Sequence, residues 1–376
     1  MIAALFLSAC PPANVCKPVT APPAPDRVDP GTAGELVIAG DTGSTEGIFD
    51  PSPVYPTGAT AGAMAYSTVP AQNVISTRIA VSSDHGATWQ KVADANAPAP
   101  LTMQSTAPEC QGGSCTGNLV HEVPSLVFDA DDPDAQRRWK LFTASYLVVG
   151  ADQLLYDHGV ISLFTAPAPD GPWSAGEHLL GWSSRTPFSS TGVTQNLSSI
   201  PELADCVAFS EPGALALPGR IDLALGCVSV TGGAKIRIAL LRSTDHARSF
   251  SFVSTLLRGE DAACAGSAVP QLNAAHLFVA GGQQYVVASP AGTVPPGFTG
   301  YRGCLVYRID DPNSGHMERD SAGAPVVHRQ LDTTDVRFNG ACAFAERATS
   351  LGYLLPTLYA GDARRFRILR TGVLAP

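Results

Sequence analysis

The chain has 376 residues, 36 of them Gly and 31 Pro, and only 15% are charged. Gly and Pro interrupt helices and serve turns, so this balance argues against a helix-rich fold and for many short strands joined by tight turns. The formal net charge of -9 argues against nucleic acid as a partner, because phosphate binding needs concentrated Lys and Arg.

In chain order, Ile2 to Ala9 form an apolar run too short to span a bilayer but of the length found in signal peptides. It ends in Leu7-Ser8-Ala9-Cys10, which resembles the bacterial lipobox, where small residues admit the peptidase and the Cys thiol receives the lipid. The basic residues that usually come first are missing, which places the start of the true signal upstream as an expectation. The competing reading is a buried N-terminal strand with an incidental Cys. Pro11 to Pro30 is rich in Pro and Ala and reads as an extended tether. The expected organisation is therefore a signal segment at 1–10, a tether at 11–34 and a single folded domain at 35–376. Pro11 after the Cys, rather than Asp, by resemblance favours the outer membrane. An exported, lipid-anchored protein of the cell envelope, with no transmembrane span, is the expectation.

Eight cysteines remain after Cys10, and export makes disulfides the default reading. Cys110 and Cys115 close a short Gly-rich loop and read as a local pair. Cys206 and Cys227 flank a hairpin and can pair across it. The connectivity of Cys16, Cys264, Cys304 and Cys342 stays open. Metal binding is the weaker alternative, since no C-x-x-C pair or His partner at ligand spacing appears.

Repetition decides the expected fold. Arg78 to Trp89 and Arg237 to Phe250 each read as an alternating strand followed by Ser-x-Asp-His, a turn and an aromatic. The first matches the Asp-box S-x-D-x-G-x-T-W in full and the second is degenerate; Asp170-Gly171-Pro172-Trp173 is a third relative. Such boxes pin a hairpin, so Asp84, Asp170 and Asp245 are read as structural. A second element precedes the boxes: a short apolar strand opened by an acid. It appears at Asp50-Pro51, at Glu122-Val123-Pro124 and at Glu211-Pro212, with acid-free versions at Ala268 to Leu272 and Gly340 to Phe344. Asp50 to Asp84 and Glu211 to Asp245 are both 34 residues apart (84 − 50 and 245 − 211). Five units starting near 50, 122, 211, 269 and 341 give an all-β fold, a five-bladed β-propeller of four-stranded antiparallel blades. A pair of β-sandwiches does not predict the recurring units; a sixth, partial blade stays open if Glu35 to Ala39 begins one.

In a propeller the innermost strands line a central channel, and three of the five units open with an acid: Asp50, Glu122 and Glu211. Three carboxyls at one channel mouth suit glycoside hydrolysis, in which one stays ionised to activate water or attack carbon while another is held protonated for the leaving oxygen. The third can push its neighbours' pKa values apart. Asp50-Pro51-Ser52-Pro53-Val54, with Ala65-Tyr66-Ser67 after it, resembles the first blade of the arabinanase, α-L-arabinofuranosidase and β-xylosidase propellers of glycoside hydrolase family forty-three. Thr165 to Ser174, ending Asp-Gly-Pro-Trp-Ser, resembles an outer-strand turn of the same enzymes. The resemblance covers most of residues 35 to 376 as a pattern. It implies Asp50 as general base, Glu122 as pKa modulator and Glu211 as general acid. Two departures stand out: Glu122 is one methylene longer than the family's Asp, and Glu211-Pro212-Gly213 replaces the usual Glu-Gly-Pro.

His121, His158 and Trp182 are the candidate sugar contacts, whereas Trp139, inside a strand, reads as core. Some relatives hold a central Ca²⁺, but no loop here has the oxygen spacing to support one, so no cofactor or metal is expected. The expected partner is a carbohydrate, and the expected state a monomer. The sequence thus reads as a surface-anchored glycoside hydrolase-like propeller, with a non-catalytic glycan- or protein-binding propeller as the alternative. A sialidase-like enzyme is disfavoured: its Phe/Tyr-Arg-Ile-Pro motif is missing from the N-terminal region, and Phe366-Arg367-Ile368-Leu369 lies at the wrong end.

Overall fold

The computed structural model describes residues 16–376 apart from 57, 105–109, 111–112, 151–152, 182–192, 230–234, 295–297, 334–337, 349–350 and 360–363. The protein is all-β, and among the described residues the antiparallel pairings divide its main strands into five successive units, the last and the first sharing one sheet through the parallel Phe366–Gly47 pair. Unit one is Gly47–Val54, Gly62–Ala71, Val74–Ser82 and Trp89–Asp94. Unit two is Ser114–Phe128, Trp139–Val149, Gln153–Ala166 and Glu177–Gly181. Unit three is Cys206–Leu217, Arg220–Ser229, Lys235–Ser243 and Ser251–Arg258. Unit four is Leu272–Ala280, Gln283–Val294, Cys304–Asp311 and Val327–Thr333. Unit five is Phe338–Asn339, Leu354–Leu358, Phe366–Arg370 and, from the other end of the chain, Gly34–Glu35.

Both faces of the inner strands are buried, so they read as near-continuous apolar runs rather than alternating ones. Alternation reappears as a choice of neighbour. In Arg220–Ser229, Leu223 and Leu225 pack against unit two while Ala224 packs against unit four. Each main apolar cluster is shared by two successive units, and one of them, holding Ile48, Met64 and Trp89 with Leu354 and Ile368, joins unit five back to unit one. Trp139 packs in the cluster between units one and two, as its position inside a strand predicts.

From Cys16 on, the segment expected to be a tether is docked. Cys16 is bonded to Cys264, and the Val19 and Thr20 N–H groups donate to Asp320 at 2.6 and 3.3 Å. Asp26–Val28 then pairs with the outermost strand of unit four, Gly34–Glu35 joins Phe366–Arg370 as the last strand of unit five, and Ile38–Ala39 pairs with the outermost strand of unit one. Free edges are a liability in sheets, and this segment covers three of them. Pro-rich composition signals an extended chain, and an extended chain serves an edge as well as a linker. Cys10 lies outside the described residues. No helix among the described residues is long and apolar enough to cross a membrane.

Cys110–Cys115 and Cys206–Cys227 are disulfides, as local spacing suggested, and Cys304–Cys342 ties units four and five. The two Ser-x-Asp segments form the same turn. Asp84 accepts from the Thr88 N–H (2.9 Å) and hydroxyl (2.6 Å), and Asp245 from those of Ser249 (2.9 and 2.5 Å). The aromatics that follow, Trp89 and Phe250, are buried.

Units meet so closely that some positions exclude a side chain. A Cβ on Gly213 would stand 2.0 Å from the Ala275 carbonyl oxygen in unit four. This explains the Pro-Gly order after Glu211: the position facing the next unit must be Gly. Gly213→Ala is expected to destabilise the fold by about 1–3 kcal/mol or more, because the obstacle is backbone. Thermal unfolding checks it; an unchanged midpoint would show that the units part without cost.

Candidate active site

The inner strands of units one to four each carry a bulge at which one non-glycine residue takes a left-handed backbone conformation, and in unit five Ala341, just past Phe338–Asn339, takes it too. These are Asp50 (φ 48°), Val123 (49°), Glu211 (56°), Ala274 (52°) and Ala341 (56°), one in each unit. Left-handed φ is uncommon outside Gly and anomalous for a β-branched residue such as Val123, so the surrounding structure imposes it. The bulge turns the side chain out of the pleat and lets the backbone N–H face the preceding unit.

This register corrects the alignment of the acids. Phe49, Glu122 and Ser210 pair with Ser67, Ala144 and Gly226, so Glu122 matches Phe49 and Ser210, and Val123 matches Asp50 and Glu211. The proline after the left-handed residue (Pro51, Pro124, Pro212) marked this in the sequence. Unit four is likewise displaced: its equivalent residue is Ala274, five positions beyond Val269, the start expected from sequence (274 − 269).

Glu122 nevertheless reaches the same place as the other two acids. Asp50 is raised well above the usual carboxylate range by burial, then by the charges of Glu122 and Glu211. Glu211 is pushed up to about 7 by burial, against opposing hydrogen bonds from Tyr301 and Ala274 and with a further upward push from Glu122. Burial also raises Glu122. Three interacting, buried carboxyls cannot all ionise cheaply, so protons are retained there at pH values where surface acids have lost theirs.

Each of the two acids at left-handed positions is linked to its counterpart in the following unit. Asp50 accepts from the Ser67 hydroxyl at 3.5 Å, and Ser67 Oγ in turn accepts from the N–H of Val123, the counterpart of Asp50 in unit two, at 3.2 Å. Glu211 accepts from the N–H of Ala274, its counterpart in unit four, at 2.7 Å, and from the Tyr301 hydroxyl, 2.6 Å from both its oxygens. Glu122 differs: its Oε2 is buried without a hydrogen-bond partner among the described residues. Burial, then its charge, raises Tyr146 and Tyr156, whose rings lie 4.4 Å apart. Tyr146, Tyr156, Tyr301 and Asn273 were missed in the sequence. Asn273 alone left a signal, since it precedes Ala274 as Glu122 precedes Val123.

Of the expected sugar contacts, His121 is turned into its own unit. Its Nδ1 is 2.7 Å from Ser145 Oγ, and its ring meets Phe164 edge-on at 5.2 Å. Burial, then the charge of His178, holds it down at about 4, so it is neutral. Neighbouring strand residues alternate in direction, which is why the residue beside Glu122 does not point with it. The His158 side chain and Trp182 lie outside the described residues.

Two groups of described side chains have metal-ligand spacing. In one, Cys206 and Cys227 are joined in a disulfide; in the other, Asp129 and Asp132 already face the Lys140 ammonium at 3.2 and 2.6 Å.

With this geometry the fold is recognisable as that of the propeller glycosidases. The chain aligns with a β-fructofuranosidase of glycoside hydrolase family 32 from Bombyx mori, with a TM-score of 0.53 and 13% identity over 86% of this chain and 59% of that chain. It thus spans about three fifths of that enzyme's length. The catalytic domain of a family 62 α-L-arabinofuranosidase from Coprinopsis cinerea aligns at a TM-score of 0.50 and 11% identity, over 92% of this chain and 98% of that chain. A thermostable family-43 glycoside hydrolase gives a TM-score of 0.50 and 11% identity, over 92% and 91%. No protein-family model and no curated protein sequence matches the chain.

Proposed function

We propose that this protein is a glycoside hydrolase of the five-bladed propeller type, in which the five units are the blades and the three acids form the active site. The observation that carries the reading is the convergence of Asp50, Glu122 and Glu211, three buried carboxyls that are all raised above the usual carboxylate range. Glu211 is the general acid, Asp50 the general base and Glu122 the modulator. The Ser-x-Asp turns act as sialidase-type Asp-boxes, a structural role. The substrate is a polysaccharide or oligosaccharide, the domain acts as a monomer, and acylation of Cys10 tethers it to the outer membrane.

A panel of aryl α-L-arabinofuranosides, β-D-xylosides and β-fructofuranosides tests this directly. Hydrolysis of at least one, lost in Asp50→Asn, is the expected result; a folded protein inert toward all of them would sink it. The pH profile has a definite sign. The acid works protonated, so activity should fall as pH rises through about 7. The base works ionised, so activity should also fall toward low pH. Because the charge of Glu122 raises Asp50, Glu122→Gln should move that acid limb to lower pH. An acid limb that stays put removes the modulator role.

One observation favours a second reading. Glu211 accepts the backbone N–H of Ala274 in the following unit, Asp50 is tied through Ser67 to the N–H of Val123, and such links alone are a structural task. A propeller that only binds glycan would show saturable binding on a glycan array with no product released.

A further inference from the structure

We propose that Tyr301, held by Asn273, is a positioning residue that orients the Glu211 carboxyl and governs its protonation; this rests on the reading of Glu211 as the general acid. Tyr301 ends the short strand Phe298–Tyr301, which pairs with the far end of Gln283–Val294 as an addition to the four main strands of unit four. That addition brings a phenol from unit four onto an acid of unit three. The hydroxyl has one proton, and an ionised carboxylate can only accept. At 2.6 Å from both oxygens, the phenol therefore donates into the Glu211 carboxylate and fixes its plane.

The phenol is itself held. Asn273 Nδ2 donates to the Tyr301 oxygen at 3.0 Å and to Ser210 Oγ at 3.2 Å. The other end of that amide lies against Gly226, where a Cβ would come within 2.2 Å of Asn273 Oδ1. Gly226 thus opens the space that Asn273 fills, Asn273 sets Tyr301, and Tyr301 sets Glu211. The Tyr301 ring rests against Phe338 with centroids 5.2 Å apart. Tyr301, Asn273 and Glu211 are all buried, so their hydrogen bonds act in a less polar setting than at the surface. Burial and the neighbouring Glu211 charge keep the phenol protonated, hence a donor. A hydrogen bond to a charged acceptor is about twice as strong as a neutral one. The carboxyl thus has opposing inputs: burial favours its proton, and the phenol favours its loss.

The test is Tyr301→Phe, which keeps the ring and its contact with Phe338, with Asn273→Ala as a second variant that leaves the phenol but frees it. Protein labelled with ¹³C at the glutamate carboxyl is titrated by NMR, the Glu211 signal being assigned by its loss in Glu211→Gln. Tyr301→Phe is expected to raise the Glu211 midpoint by about one pH unit, a tenfold change in proton affinity, and Asn273→Ala to raise it less. The alkaline limb of hydrolysis should move up with it, kcat falling about tenfold or more while KM stays within about twofold, the signature of lost orientation rather than lost binding. A Glu211 midpoint unmoved in both variants overturns the proposal. If the wild-type protein cleaves no glycoside, the enzyme reading fails, yet the titration still decides what Tyr301 does to Glu211.

Discussion

Glu211→Gln is expected to lower cleavage of a sugar–sugar or alkyl furanoside bond by about 10²–10⁴-fold while sparing a dinitrophenyl furanoside almost entirely. An alkoxide leaves only if protonated as it departs, whereas dinitrophenolate is stable enough to leave unaided. Asp50→Asn removes the base and should abolish cleavage of both. The pattern separates the two roles, which a uniform loss would not. Gln at 211 keeps a carbonyl oxygen to accept from the Ala274 N–H, now at 2.7 Å from the carboxylate, so the inner strands of units three and four keep their register. Equal losses on both leaving groups in Glu211→Gln would reject the general acid and leave Glu211 as a structural link between units. The measurement is kcat/KM on the two substrates for both variants, with near-ultraviolet circular dichroism confirming the fold.

The largest stability effect is expected at Lys140→Met. Lys140 has no exposed side-chain surface; its Nζ lies 2.6 Å from Asp132, 3.2 Å from Asp129 and 2.6 Å from the Arg137 carbonyl. Asp129 in turn meets His246 at 3.0 Å, in the Ser-x-Asp turn of unit three, so the cluster fastens units two and three. Removing the ammonium leaves two buried carboxylates unmatched, and breaking such a pair costs about 3–5 kcal/mol. Lys140→Met with Asp132→Asn should recover part of the loss, because the charge left without a partner goes too. Burial opposes the Asp132 charge, but hydrogen bonds from Lys140 and the Asp134 N–H outweigh it and hold Asp132 below the usual carboxylate range. A depressed carboxyl contributes stability above its unfolded pKa and loses it as pH falls through the folded one, so this contribution should vanish only in strong acid. Unfolding midpoints across pH measure both effects; a loss under about 1 kcal/mol in Lys140→Met would mean that water reaches the cluster.

Much of the molecule was legible beforehand because repetition is a property of the chain. The 34-residue interval from Asp50 to Asp84 and from Glu211 to Asp245 is the interval from left-handed bulge to Ser-x-Asp turn in units one and three. Local cysteine pairs were readable because short loops hold their ends together. Cys16–Cys264, separated by 248 residues, was not, since nothing local brings those thiols together. Unit four was misplaced because Val269-Pro270 imitates the residue-proline pair of the other bulges, whereas the real bulge at Ala274 has no proline.

By itself the sequence determined the all-β class, the recurrence of the strand and Ser-x-Asp turn segments and the three acids that meet. Those follow from residue type and spacing, which act over a few tens of residues. The tertiary structure alone decided three further matters. One is the register that sets Glu122 one step off from Asp50 and Glu211. Another is the docking of residues 16–39 along three outer edges. The last is the arrival of Tyr301 and Asn273 beside Glu211. Each depends on backbone or side-chain groups from different units coming within hydrogen-bonding distance, and that proximity exists only after the units have packed.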